Sequence, residues 1–439
     1  MSHNSLFDAD ARTIKRNKTE KRFRAYGLAA ISIGLMMLAM LLFTIISKGT
    51  SAFQQSFITL DVVLDQAEID DAEKALMKTS KYKVILSKNL VTTLEAKGIT
   101  VDLTEKEQGA LISKRASDQL RQFVLANQDK VGHTVQTRVL ASSQIDAYMK
   151  GRLSRDTIAN NKYITPEQLD LADQLIDGDI LQKRFNLDFI KGADASENSP
   201  EAAGFGSAIL GSLAMMIVVL ALSLPIGVAA SIYLEEFAPK NKLTDLIEVN
   251  ISNLAAVPSI VYGILGLALF LNYLGPLSAN DWLRNNSPFV GALVLALMTL
   301  PRIVIPTRAA LKAVPPSIRD AALGIGASKM QTIFHHVLPL AMPGILTGTI
   351  IGLAQALGES APLLLIGLVG FIGGELPTTM DQFFGGPNTV MPAQIYQWAS
   401  RADPAFYERA WGGIIILLVF LITMNAIAII LRSRFERRW

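Results

Sequence analysis

The chain has 439 residues, of which half are hydrophobic, and its mean hydropathy of +0.34 is too high for an ordinary soluble protein of this length. The net charge of +3 is small, so bulk charge does not indicate a nucleic-acid partner. Because the chain lacks cysteine, disulfides, thiolate metal sites and cysteine nucleophiles are excluded. Several apolar runs reach the roughly 20 residues that cross a bilayer, so the composition predicts an integral membrane protein.

The chain begins with a basic segment at residues 1–24, followed by an apolar run at 25–47. The run is longer than the roughly 7–15 apolar residues of a cleaved signal peptide, and no convincing small-residue cleavage site follows it. We therefore predict an uncleaved signal anchor, with its basic end in the cytoplasm. The basic residues of this segment are Arg12, Lys15, Arg16, Lys18, Lys21, Arg22 and Arg24.

Residues 48–203 are polar, mixed in charge and free of any spanning run, which predicts one folded α+β domain outside the cytoplasm. Alternating apolar residues predict a strand at 57–64. A capping box that starts at Thr104 predicts a long helix to about Ala126, and the run Thr165-Pro166-Glu167-Gln168 predicts a second helix start. Residues 192–200 are typical of a linker.

Apolar runs after the linker predict a transmembrane domain at 204–435, with residues 436–439 as a cytoplasmic end. Together with the anchor they make six spans, the later five at 207–234, 249–272, 288–308, 337–358 and 411–431. A further apolar segment, 361–373, has only about thirteen residues. Six spans return the basic C-terminal residues to the cytoplasm, whereas seven would export them. We therefore expect 361–373 to be re-entrant or interfacial on the outer side.

The loop at 311–336 is unusual for a connection between two spans. Pro315 and Pro316 stop the preceding helix, Ser317 is placed to cap a new one, and Asp320 lies near the positive end of its dipole. Gly324 and Gly326 break this helix, and a second short helix is expected from Lys329 to Phe334. The pattern predicts a rigid helix–turn–helix that docks on a cytoplasmic partner, with an ordinary amphipathic connector as the alternative.

Small residues recur at every fourth position from Gly344 through Gly348 and Gly352, which allows another helix to approach closely. That helix belongs either to this chain or to another subunit. Beyond this face, Glu359 stands at the outer end of the run, where a carboxylate at membrane depth indicates function. Its candidate partners are Arg302 and Arg308, which lie near the cytoplasmic end of their span, or a cation on another subunit. The alternative is that Glu359 reaches the outer interface.

Asp320-Ala321-Ala322, with Gly326 in register and Leu338-Pro339 further on, resembles the E-A-A-x-x-x-G coupling motif of ABC-importer permeases. Asp320 replaces the usual Glu, and His336 replaces an Ile of the later part. The run Gly358-Glu359-Ser360-Ala361-Pro362-Leu363-Leu364 resembles the signature of Pst-type phosphate permeases of the A-subunit type, as does the run at 256–263. Many relatives have Arg at the position of Gln355, so this chain would need another cation.

The resemblance implies an all-α integral membrane fold of six transmembrane helices, of the MetI-like ABC permease type, with the α+β periplasmic domain inserted after the first span. It implies ATPase-coupling residues, namely Arg319, Asp320, Ala321, Ala322, Gly324, Gly326, Ala327, Leu338 and Pro339. Candidates near the translocation path are Arg302, Arg308, Gln355 and Glu359.

The implied function is that of a permease subunit of an ATP-driven phosphate importer in the bacterial inner membrane, with both termini cytoplasmic. The implied partners are a homologous permease subunit, two copies of a cytoplasmic ATPase, a periplasmic phosphate-binding protein, inorganic phosphate and membrane lipid. The chain has no phosphate-binding Gly-Lys-Ser or Gly-Lys-Thr, so we expect the ATPase to be a separate partner. We also expect no cofactor, and no metal at His335-His336, which has no third ligand at metal spacing. The alternatives are a permease for molybdate, sulfate or phosphonate, and a membrane sensor or scaffold.

Overall fold

The computed structural model describes residues 11–160, 163–195, 199–278, 281–283, 287–368 and 376–435. Within these residues, six helical segments are long and apolar enough to cross a membrane, as the sequence predicts. The first is α1 (Ala11–Gly49). It extends back through the basic segment as one continuous helix, so residues 11–24 are helical rather than an irregular tail.

The unit inserted between the first and second spans is α+β, as predicted. Within the described residues, three strands form one antiparallel sheet in the order β2–β1–β3. The strands are β1 (Gln54–Val63), β2 (Thr134–Leu140) and β3 (Leu181–Phe185). The helices are α2 (Gln66–Lys74), α3 (Lys78–Ala96), α4 (Glu105–Gln108), α5 (Lys114–Ala126), α6 (Ser143–Met149), α7 (Pro166–Asp177) and α8 (Leu187–Lys191).

The predicted alternation of β1 is confirmed, because Ile58, Leu60 and Val62 are all fully buried on the face that the helices cover. The capping boxes at Thr104 and Thr165 are confirmed as well. The prediction of a single long helix after Thr104 is wrong. It ends after one turn, because Ile112 pairs with Ala141 beside β2 and Ser113 then caps a separate helix, α5.

The remaining helices form the membrane part. They are α9 (Gly206–Ile232), α10 (Lys242–Ala255), α11 (Ser259–Gly266), α12 (Pro288–Ala313), α13 (Pro316–Gly324), α14 (Lys329–Thr332), α15 (Leu338–Gly358), α16 (Ala361–Leu365), α17 (Met380–Phe384), α18 (Met391–Ser400) and α19 (Pro404–Phe435). The second span is α9, the fourth α12 and the sixth α19. The third consists of α11 and the helical turns that follow it, and the fifth of α14 and α15.

The third predicted run, 249–272, is not one helix. It breaks between α10 and α11 because Pro258 disfavours helical geometry at the residue before it and has no N–H for the carbonyl of Leu254. The Tyr262 hydroxyl donates to that carbonyl at 2.8 Å and so bridges the break. α10 is therefore a separate, largely exposed helix, and the third span itself starts at Ser259.

Two other segments differ from a simple linker or span. The predicted linker 192–200 holds the buried Asp194, which accepts from the Trp398 indole at 2.9 Å and pairs with Arg401 at 3.0 Å. In the segment 361–373, α16 is a five-residue helix that lies against α11, where a Cβ added to Gly263 would approach the Pro362 Cα to 2.7 Å. Residues 196–198 and 369–373 lie outside the described residues.

Candidate functional site

The loop after the fourth span begins with a proline-started helix. α12 ends at Ala313, and α13 begins at Pro316. Proline fits the first position of a helix because its missing N–H would have no partner there. The predicted cap at Ser317 is wrong, since Pro315 occupies the cap position and no side chain caps this helix.

The end of α13 is a glycine-dependent turn. The N–H of Gly326 bonds to the carbonyl of Leu323 at 3.0 Å, and the N–H of Ala327 bonds to that of Ala322 at 3.1 Å. This pair of bonds is a Schellman motif, which places one residue in the left-handed region. Gly326 is that residue, with φ of +90°. The helix break predicted at Gly324 and Gly326 therefore has a local cause.

The second short helix predicted from Lys329 to Phe334 is instead the start of the fifth span. Ser328 and Gln331 form a capping box ahead of α14, and helical turns continue through Val337 into α15. The turns widen over Ile333–Val337, where Pro339 offers no N–H to the carbonyl of His335. The loop is thus one short helix, a turn and a direct entry into the next span.

The two faces of the loop differ in burial. Ala322 is buried, and Ile318 of the same helix packs against a cluster that joins the ends of three spans. The cluster includes Ile232, Leu311, Val314, Ile333 and Val337. On the outer face, apolar side chains stay open, with Ile325 83% and Met330 57% exposed. Leu323 and Phe334 are exposed beside them. Sequence reasoning missed these four residues, although large apolar side chains within a charged loop are a readable sign of a docking face.

The charged residues of the loop divide in the same way. Asp320 is exposed and makes no ion pair with another described residue. Arg319 instead turns inward and contacts Glu236, at the end of the second span, at 2.7 Å. Nearby, Arg308 binds Glu248 at 2.6 Å and lies 3.5 Å from Glu235. Arg308, one of the candidate partners of Glu359, thus forms its ion pairs with other carboxylates in the part of the chain that the structure describes.

The small-residue face of α15 lies against α12 of the same chain. A Cβ added to Gly344 would stand 2.6 Å from the Ala310 Cβ, and one added to Gly348 would stand 2.6 Å from the Pro306 Cβ. Such distances are below van der Waals contact, so only glycine allows this approach. Of the two options left open by the sequence, the structure shows packing within this chain.

Arg302 lies on α12 next to Gly352, where a Cβ added to the glycine would approach the Arg302 Cβ to 3.8 Å. Because α12 is 26 residues long and extends to Ala313, Arg302 is near its middle rather than near one end. Its Nη1 atom is buried and has no hydrogen-bond partner among the described residues. A buried guanidinium nitrogen without a partner is costly unless an anion or water meets it.

Gln355 and Glu359 follow Gly352 on the fifth span, Gln355 exposed and Glu359 half-buried just past the end of α15. Seven residues of helix separate Gly352 from Glu359, which amounts to about 10 Å along the axis. Arg302 and Glu359 form no ion pair in the part of the chain that the structure describes. The path candidates thus lie at two levels, with Arg302 deep and Glu359 near the end of the span.

A second cluster, which sequence reasoning missed, joins the inserted unit to the start of α19. Arg409 is 1% exposed and donates to the carbonyls of Ala52 and Glu201, each at 2.9 Å, and to the side chain of Gln55. It also stacks over the Phe189 ring at 5.1 Å. These contacts connect α19 with four segments around the inserted unit. Nothing in the local sequence marks Arg409, because its partners are more than 200 residues away.

Beside Arg409, Glu408 binds Arg152 at 2.6 Å and Lys150 at 3.1 Å. Lys150 also pairs with Asp146 at 2.7 Å. Burial lowers the pKa of the Lys150 ammonium, and the two carboxylates oppose that effect. We call the group of Asp146, Lys150, Arg152, Glu408 and Arg409 the junction cluster.

Two family models match the chain in separate parts. Residues 223–439 match the binding-protein-dependent transport system inner membrane component, and residues 10–159 match a domain of unknown function, DUF3333. The first match covers the end of the second span, the third to sixth spans and the loop of α13. The second covers the first span and most of the inserted unit.

Among curated proteins, the phosphate transport system permease protein PstA 1 of Mycobacterium tuberculosis (strain CDC 1551 / Oshkosh) is 30% identical over 237 residues, which cover 54% of this chain and 73% of that protein. PstA of Pasteurella multocida (strain Pm70) is 31% identical over 228 residues, or 52% of this chain and 76% of that protein. The probable ABC transporter permease protein YqgI of Bacillus subtilis (strain 168) is 34% identical over 171 residues, covering 38% of this chain and 55% of that protein.

Among solved structures, an inward-facing methionine ABC transporter aligns with 52% of this chain and 95% of its own, at 16% identity and a TM-score of 0.41. A bacterial ABC transporter that imports the acidic polysaccharide alginate aligns with 53% of this chain and 80% of its own, at 15% identity and a TM-score of 0.41.

Proposed function

We propose that this chain, which belongs to the family of binding-protein-dependent inner-membrane transport permeases, carries inorganic phosphate across the membrane. Members of this family are the multi-pass membrane subunits of ABC importers, and they work with an ATPase and a substrate-binding protein. The proposal concerns the substrate, the orientation of the chain, its subunit partners and the residues that carry transport.

The observation that carries the substrate proposal is the unpartnered Arg302. A charged side chain near the middle of a membrane helix costs at least about 2.5 kcal/mol, and such residues mark ion pathways. A guanidinium presents several N–H groups that match the oxygens of a phosphate. Arg302 therefore supplies the cation that the neutral Gln355 does not, one turn along the neighbouring helix.

The names of the relatives point to the same substrate, since two of the three described above are phosphate transport permeases. The run Gly358–Leu364 supports it as well, because this run resembles the signature of Pst-type phosphate permeases.

The proposed orientation of the chain in the membrane rests on charge. Basic residues flank the first and sixth spans, and the positive-inside rule places both of these helix ends, with the loop of α13, in the cytoplasm. The inserted unit then lies outside. One ATPase copy docks on the exposed face of Ile325 and its neighbours, and a second copy docks on a homologous permease subunit. An external phosphate-binding protein delivers the substrate.

The mechanism is alternating access. Closure of the ATPases on ATP moves α13, and the spans attached to it open the path around Arg302 first to one side and then to the other. Arg302 replaces part of the water shell of the anion in both states. Glycine contacts between α12 and α15 keep these two helices together while they move.

Uptake of radiolabelled phosphate at low micromolar concentration tests the proposal, in cells deleted for this gene and complemented with variants. We expect Arg302→Gln to lower uptake roughly tenfold or more, while Arg302→Lys keeps part of it. Arg434→Gln, at an exposed arginine of α19, is the matched control. Equal uptake in deleted and complemented cells refutes the phosphate assignment. If complemented cells take up sulfate, molybdate or phosphonate instead of phosphate, the substrate is that oxyanion.

A second variant tests the coupling loop. Gly326→Asp places a side chain at φ of +90°, so the turn after α13 is strained, and we expect uptake to be lost. Gly132→Asp is the matched control, because Gly132 has φ of +87° and equally open surroundings in the inserted unit. Retained uptake with Gly326→Asp would show that the turn does not transmit the force of the ATPases.

A further inference from the structure

The side chain of Arg319 joins elements that are distant in sequence. Its Nε and Nη2 atoms both donate to Glu236 Oε1, at 3.1 Å and 2.7 Å, across 83 residues. The Arg319 and Glu236 side chains are 22% and 9% exposed, so solvent screens this pair less than it would an exposed ion pair. The Arg319 guanidinium therefore links the loop helix α13 to the end of the second span.

Arg319 also completes the end of the fourth span. Its Nη1 donates to the carbonyl of Val314 at 2.8 Å, and its Nη2 donates to that of Leu311 at 2.9 Å. The carbonyl of Leu311 has no helical donor four residues on, because Pro315 lacks an N–H. A cation at the C-terminal end of a helix is favourable in itself. One side chain thus fixes α13 to both α12 and the second span.

Glu236 is well placed to pass a movement on. It lies in the widened turn Tyr233–Phe237 that follows α9, and the adjacent Glu235 lies 3.5 Å from both Arg308 and Lys312 of α12. Two neighbouring carboxylates of the second span therefore hold three cations, two on the fourth span and one on the loop. We call Glu235, Glu236, Arg308, Lys312 and Arg319 the charge clamp.

We propose that Arg319 is a positioning residue that transmits displacement of α13 to the second span through Glu236. This inference rests on the proposed transport function. Without the Arg319–Glu236 bond, α13 remains attached by the chain and by the burial of Ala322, but it no longer pulls on the second span. ATP hydrolysis then continues without the corresponding movement of the second span, and the amount of phosphate moved per ATP falls.

The test uses the assembled transporter in proteoliposomes, with phosphate uptake and binding-protein-stimulated ATP hydrolysis measured on the same sample. We expect Arg319→Gln and Glu236→Gln to keep the ATPases bound but to lower the phosphate moved per ATP roughly tenfold. Lys240→Gln, an exposed cation four residues after Glu236, is the matched control and keeps the ratio of the unchanged chain. An unchanged ratio in both clamp variants overturns the proposal.

A covalent bridge between positions 319 and 236 distinguishes a role of Arg319 in coupling from a role in folding. The chain has no cysteine, so Arg319→Cys combined with Glu236→Cys gives a single reactive pair. A bifunctional thiol reagent that spans the gap of the lost ion pair should restore the ratio, whereas a monofunctional reagent should not. Failure of the bridge to restore it, or loss of the ATPases in all clamp variants, overturns the proposal in favour of a purely structural role. If the unchanged transporter moves no phosphate, the proposed function itself is wrong, which is a different outcome.

Discussion

Replacing Arg409 by Met is the most direct test of how the inserted unit is attached. Met keeps much of the packing against Phe189 but leaves the carbonyls of Ala52 and Glu201 and the amide oxygen of Gln55 without this donor. Each buried acceptor left unsatisfied costs about 1–3 kcal/mol. Removal of one partner from a buried charged network costs about 3–5 kcal/mol in all, and we expect a loss of stability in that range.

Heat-induced unfolding of the purified chain in detergent measures this loss. Trp398 is a suitable reporter, because it is fully buried between Phe189 and Phe205 beside the junction cluster. We expect the half-unfolding temperature to fall by roughly 3–5 °C for Arg409→Met, because a chain of 439 residues shifts by about 1 °C per kcal/mol. Arg115→Met is the matched control, since the Arg115 side chain is 49% exposed and pairs with Asp118 in the same helix.

An exposed pair of that kind contributes about 0.5 kcal/mol or less, so the control should unfold within about 2 °C of the unchanged chain. If Arg409→Met also unfolds within about 2 °C of it, the reasoning is refuted. The contacts of Arg409 would then not hold the inserted unit on the membrane part. A selective loss of stability would show that this one cation joins the two.

Three other measurements follow from the structure. Burial raises the pKa of the Glu201 carboxyl in the folded chain, so ionisation of this group costs stability once the pH rises above the ordinary pKa of a glutamate. Glu201→Gln should therefore flatten the fall in half-unfolding temperature with rising pH, and an equally steep fall in the variant would contradict this. Gly348→Leu should lower the amount of folded protein in the membrane, because Pro306 leaves no room for a side chain, and normal levels by fluorescence size-exclusion chromatography would place the close approach in doubt. Ile325→Asp should abolish co-purification of the ATPase while Leu76→Asp, at a fully exposed residue of the inserted unit, does not, and retention by both would move the docking face elsewhere.

The sequence predicted those parts of the fold whose cause is local. Six spans follow from run length and hydropathy, and β1 follows from alternation, because both signals are carried by neighbouring residues. Predictions failed where a distant segment decides the outcome. The helix after Thr104 stops because Ile112 pairs with Ala141, and nothing near Thr104 reports on Ala141.

The candidate site shows the same limit. Gly326 was identifiable because a left-handed residue after a helix has a sequence signature. The ion-pair partners of Arg319 and Arg308 were not identifiable, because Glu236 and Glu248 reach them through the tertiary fold. A charge in an apolar run indicates that a partner exists, but the partner itself is known only once the helices are packed.

The contacts of Arg409 and Arg319 also bear on what the inserted unit does. Arg409 holds that unit to the sixth span and to the segments that follow the first span and precede the second. A unit attached at all of these places cannot swing about a single flexible linker without breaking several buried hydrogen bonds. Arg319, at the other ends of the second and fourth spans, leaves the loop helix with one charged attachment and an open apolar face. In the proposed transporter, such an arrangement would make the inserted unit a fixed platform for an external partner, while force would enter from the opposite side through α13.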